Sequence, residues 1–137
     1  MLEINNIKSD KEKWIPFIMS LHSPTKVSEI SEESRATMTF YEINNLINGI
    51  DIILDCLKKQ KKYSFNFCCI ETFFEIRLEN IIEDDVIEVE VWINLGPQTN
   101  GSIYGYDEGI RFVTSEKELD IFSNDLKENI SRIVFDA

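Results

Sequence analysis

Residues 2–7 and 14–21 carry the short apolar runs of β-strands, and in the second Ile15, Phe17, Met19 and Leu21 share one face. Pro16 lacks a backbone donor, which predicts an edge strand or a bulge there. Residues 22–37 are polar, from His22-Ser23-Pro24-Thr25 to Ser31-Glu32-Glu33-Ser34. They predict a long loop with room for a short strand near Val27 or from Arg35 to Met38.

The period then changes. Thr39 and Glu42 have the spacing of a capping box, in which hydroxyl and carboxylate satisfy orphan backbone donors at a helix start. Ile43, Leu46, Ile47, Ile50, Ile53, Leu54 and Leu57 follow at helical spacing on one face, with Asn44, Asn45, Asn48, Asp51 and Asp55 on the other. Lys58, Lys59, Lys61 and Lys62 close this helix, where positive charge suits its carbonyl end.

Alternation returns after the lysines. Residues 63–70 put Tyr63, Phe65 and Phe67 on one face. Residues 73–80 alternate Phe74, Ile76 and Leu78 against Glu75, Arg77 and Glu79; residues 86–94 alternate Ile87, Val89, Val91 and Ile93 against Glu88, Glu90 and Trp92. Glu83-Asp84-Asp85 is the turn between them. Such alternation predicts antiparallel strands with one buried and one wet face. Residues 96–101 read as a loop and 103–113 as a strand bulged at Gly105 or Gly109. A second capping box, Ser115 and Glu118, starts a helix with Leu119, Phe122, Leu126, Ile130 and Ile133 along a narrow stripe expected against the sheet or the first helix. The sum is one α+β domain over residues 1–137, a largely antiparallel β-sheet with two amphipathic helices packed on one face.

Composition narrows the function. The 137 residues carry 14 basic and 25 acidic side chains, a net charge of −11, which opposes binding to a phosphate backbone or an anionic membrane. It favours basic partners and equally serves solubility. No apolar run reaches the length of a membrane span, and the start lacks the features of a signal peptide, so the expected location is cytoplasmic. Cys68 and Cys69 are neighbours in a strand pattern, point to opposite faces and are expected as reduced thiols, as is Cys56. The one histidine, His22, has no nucleophile motif beside it, and neither metal-ligand spacing nor a phosphate-binding loop occurs. No cofactor, metal or catalytic residue is predicted.

Charge concentrates in residues 71–90, with eight acids against Arg77. Periodicity sends Glu75, Arg77, Glu79, Glu88, Glu90 and Trp92 to one open sheet face, with Asp84 and Asp85 at its turn. Arg77 is expected to offset repulsion by pairing with Glu88 or Glu90. An exposed Trp92 among carboxylates suits a binding hot spot, while a solvated sheet face accounts for the same pattern. A flat wet face lacks the opposed carboxylates of a glycosidase cleft. These eight residues are the candidate partner-binding set.

The order of elements resembles small bacterial toxin-immunity proteins of the WapI kind. The resemblance runs from the capped helix Thr39-Phe40-Tyr41-Glu42-Ile43-Asn44-Asn45-Leu46 to Ile70-Glu71-Thr72-Phe73-Phe74-Glu75-Ile76-Arg77-Leu78. It continues through Val86-Ile87-Glu88-Val89-Glu90-Val91-Trp92-Ile93 and Gly109-Ile110-Arg111-Phe112-Val113 to the closing helix, within residues 13–133. It implies a cytosolic, non-enzymatic protein that binds and neutralises the C-terminal domain of a contact-delivered or secreted toxin. Such toxins are often nucleases, whose basic clefts an acidic face could approach. The chain is then a monomer or weak homodimer. The rival readings are a homomeric adaptor module pairing through a strand edge, and a small-molecule-binding domain or enzyme with a pocket between helices and sheet.

Overall fold

A computed structural model describes residues 2–4, 14–99, 101–103 and 105–136. The elements in chain order are β1 (Leu2–Ile4), β2 (Trp14–His22), β3 (Val27–Ile30), β4 (Thr37–Thr39), α1 (Phe40–Lys58), β5 (Ser64–Cys68), β6 (Phe74–Ile81), β7 (Val86–Asn94), the four-residue α2 (Leu95–Gln98), β8 (Asp107–Thr114) and α3 (Glu116–Asp136). All strand pairs are antiparallel. The α+β class is as expected, but the strands form two sheets instead of one. The smaller is built around β2, and the larger has the order β5-β6-β7-β8.

The expectation that Pro16 places β2 at an edge is corrected. β2 lies between β1 on one side and β3 and β4 on the other. β3 pairs with residues 19–22 and β4 with residues 14–16, so no unbroken ladder runs past the proline on that side. The polar stretch after His22 therefore holds two short strands. The part of the first predicted strand at residues 5–7 lies outside the described residues.

Ile15, Phe17, Met19 and Leu21 turn inward, as their alternation requires. Phe17 packs edge-on against Phe74, with ring centroids 5.5 Å apart, joining the two sheets through their apolar faces. The inward faces of β6 and β7 carry Phe74, Ile76, Leu78, Ile87, Val89, Val91 and Ile93. α1 buries its whole predicted stripe against β4, β5, β6 and α3. α3 lies on α1 and β1, burying Leu119 and Leu126. No helix among the described residues is long and apolar enough to cross a membrane.

Polar ties orient these layers. Glu42, 3 % exposed, accepts at Oε2 from the Thr39 N–H (2.6 Å) and hydroxyl (3.0 Å), completing the capping box with the Glu42 N–H on Thr39 Oγ1. Its Oε1 accepts from the Ile70 N–H at 2.6 Å, past the end of β5. Asn80 takes an inward position on β6, accepting from the Tyr63 N–H and donating to the Lys61 carbonyl. Asp51, placed on the polar face of α1 by periodicity, instead reaches α3, where it accepts from the buried Ser123 hydroxyl (3.0 Å) and pairs with Lys127 (2.9 Å). Glu108 on β8 holds Ser28 of β3 and Lys26 just before that strand.

The lysine run does more than close α1. Lys59 pairs with Asp55, Lys58 with Glu116 at the start of α3, and Lys62 with Glu79 on β6. Glycine serves close approach at Gly49, where an added Cβ would collide with the Phe65 ring lying on the helix. The second capping box is shared differently. The Glu118 N–H donates to Ser115 Oγ, and the Glu118 carboxylate accepts from the Thr114 hydroxyl.

Removing the Glu42 carboxylate leaves the donors of part-buried hydrogen bonds at Thr39 and Ile70 without it. Glu42→Ala is expected to cost about 3 kcal/mol, and Glu42→Gln, which keeps one carbonyl acceptor, roughly half of that. Urea denaturation of both variants checks the order and the size.

Candidate functional site

The outer face of the larger sheet is set by register. Cys68, Glu75, Trp92 and Gly109 form one row across β5 to β8; Asn66, Arg77, Glu90 and Arg111 form the next; Ser64, Glu79, Glu88 and Val113 form the third. The six residues assigned to this face by alternation share it, and Asp84 and Asp85 are exposed at the adjoining turn. The turn is a single 3-10 turn, Ile82–Asp84, ended by Asp85 in the left-handed region at φ 54°.

The electrostatics differ from the expectation in three ways. Arg77 stands across from Glu90 but donates from Nε to Glu75 Oε1 at 2.9 Å on its own strand, correcting the pairing expected with Glu88 or Glu90. That hydrogen bond, and then the Glu75 charge, push the guanidinium pKa further up. Secondly, Arg111 flanks Glu90 from β8, so the middle row alternates in sign. Thirdly, Glu79 faces Glu88 directly, a like-charge pair that Lys62 offsets at 3.4 Å from Glu79. Negative charge is therefore densest at the turn end, at Glu79, Glu83, Asp84, Asp85 and Glu88.

Trp92 is half-buried where an exposed side chain was expected. It lies between Glu75 and Gly109, and an added Cβ at Gly109 would collide with the Val91 carbonyl oxygen. The pairing through Trp92–Gly109 and Val91–Ile110 is continuous, so the bulge predicted at Gly109 is absent from this ladder. Gly105 lies before β8, with a positive φ of 78°.

Cys68 and Cys69 point to opposite faces, one exposed and one buried, and both are free thiols. Burial, then the Glu75 charge, push the Cys68 thiol up; burial drives Cys69 to about 12. Neither resembles an activated nucleophile, whose pKa is lowered. His22 sits exposed at the end of β2 with Nε2 3.0 Å from Ser20 Oγ. Among the described residues no group of His, Cys, Asp or Glu is arranged to hold a metal ion.

Arg111 and Lys62 belong to this face and were not among the predicted residues. Arg111 carries a legible signal, since it alternates with Gly109 and Val113, but its place beside Glu90 depends on strand order. The face as a whole offers charge of both signs and one large aromatic.

Residues 2–133 match the profile of the Immunity protein WapI-like family. The chain belongs to this family. No curated protein and no solved structure matches it. A WapI-like protein has a role in toxin immunity, with a cognate toxin as partner, and such immunity proteins are in general non-enzymatic.

Two outcomes check this geometry. Gly109→Ala is expected to destabilise the chain by about 1–3 kcal/mol and to alter Trp92 emission, read by thermal unfolding and fluorescence. At pH 8 a thiol reagent should label Cys68 in the folded chain and reach Cys69 only after denaturation, as mass mapping would reveal.

Proposed function

We propose that this WapI-like protein neutralises a basic toxin domain, a nuclease, by stoichiometric binding through the outer face of β5 to β8. No catalytic step is involved, and the encounter takes place in the cytoplasm. The observation carrying the reading is the acidic turn end of β6 and β7 in a member of an immunity family. Glu79, Asp84, Asp85 and Glu88 steer the basic surface, since opposite potentials raise association rates more than they slow dissociation. Trp92, with Glu75, Arg77 and Glu90 around it, holds the docked partner, because a half-buried aromatic desolvates at small entropic cost.

A pull-down of the tagged chain from its own cells, at low and moderate salt, identifies the toxin. Asp84→Lys with Glu88→Lys should then slow association at least tenfold at low salt, with the deficit shrinking as salt rises. Trp92→Ala should instead speed dissociation, costing about 2 kcal/mol of affinity. Unchanged affinity in both variants would remove this face from the interface.

A second reading is favoured by the open edge at β8, where Phe112 is 40 % and Val113 56 % exposed. A second copy pairing there would make the chain a homomeric module. Light scattering of the chain alone separates the two, because this reading requires a mass that grows with concentration.

A further inference from the structure

The core is unevenly filled. Between the two sheets lies a cavity of about 220 Å³. Its floor is Ile76, Leu78, Val89 and Val91 of β6 and β7, faced by Met19 and Leu21 of β2. Ile50 of α1, Leu119 and Phe122 of α3 and Phe112 of β8 complete the apolar lining. Three of its lining residues are the most exposed of the buried apolar core, though Ile50 in the same lining keeps 1 %. Met19 and Leu119 keep 7 % and Leu21 8 %, while Ile15 and Ile53 keep 1 % and 0 %. Interiors normally pack without such voids, and an unfilled one weakens the fold. An engineered apolar cavity of about 150 Å³ stays dry and takes up benzene or xenon.

One end of the cavity is polar. Thr114 and Glu118 line it, and the Glu118 carboxylate accepts from the Thr114 hydroxyl at 2.9 Å. A carboxylate has about four acceptor sites, so it can take a further donor. Glu118 is itself exposed, so water screens its charge, and an anion at this end is disfavoured without being shut out.

We infer that this cavity is a binding site for a small uncharged molecule with an aromatic or aliphatic body and one hydrogen-bond donor, of the indole or medium-chain-alcohol kind. The body fills the space between β2, β6 and β7, and the donor meets Glu118. Fatty carboxylates of the same length bind more weakly, because their charge meets that of Glu118. The inference is independent of the toxin reading, since it uses the inner face of the larger sheet and not the outer one.

The test uses the full chain and three probes, indole, 1-octanol and octanoate. Indole and 1-octanol should shift the methyl resonances of Met19, Leu21, Val89 and Val91 saturably. At ten times its Kd each should raise the folded-to-unfolded ratio about elevenfold. Octanoate should need a several-fold higher concentration for the same shifts. In Glu118→Gln octanoate should gain binding, with 1-octanol still bound. Absence of saturable shifts with both neutral probes, or shifts elsewhere than around the cavity, would overturn the site. Equal binding of octanoate and 1-octanol by the unaltered chain would overturn the assigned ligand class. The unaltered chain decides both points, so the inference stays testable if Glu118→Gln fails to fold.

Discussion

Glu42 is a carboxylate almost wholly removed from water, and three chain segments are organised around it. Its oxygens accept from Thr39, the last residue of β4, and from Ile70, beyond the end of β5. The carboxylate itself belongs to the first turn of α1, where the helix dipole favours negative charge. The smaller sheet, the long helix and the larger sheet thus meet at one side chain. Burying an ion costs free energy unless strong hydrogen bonds replace its water, and charge-assisted bonds from backbone and hydroxyl donors do so here. The direction in which α1 leaves β4 and the place where it meets the larger sheet are coupled through that group. The apolar stripe from Ile43 to Leu57 then needs only to follow the helical period to land on the core.

Much of this was legible because it is local. The Thr39–Glu42 box, the stripe of α1 and the alternation in β6 and β7 are decided within a few residues, and each is present as read. Periodicity assigns a residue to a face, however, and does not choose the neighbouring strand. The division into two sheets, and the central position of β2 despite Pro16, follow from pairings between distant segments. Asn80 and Ser123 were missed for a related reason. They are polar residues at inward positions, and each becomes tolerable only through a partner far along the chain, at Lys61 and Tyr63 or at Asp51.

The outer sheet face divides in the same way. Its eight predicted residues do lie together, because alternation and the Glu83–Asp85 turn suffice to place them. Its charge balance was not legible. Arg111 arrives from β8 and Lys62 from the end of the lysine run, so the local excess of acid is partly neutralised in the middle and persists at the turn. Trp92 is likewise less exposed than its polar neighbours suggest, since it occupies a row between Glu75 and a glycine strand position. Charge counted along a chain overstates the field of a sheet whose neighbouring strands carry the opposite sign.

The Phe65 ring resting on Gly49 links two positions through divergence as well as through packing. A side chain at 49 has no space while the ring is present, and a smaller residue at 65 uncovers the helix backbone beneath it. Either single change passes through a poorly packed intermediate, so the pair is expected to drift together or stay as it is. Sequences of this lineage that differ at one position should differ at the other, giving a covariation signal that reports how β5 sits on α1.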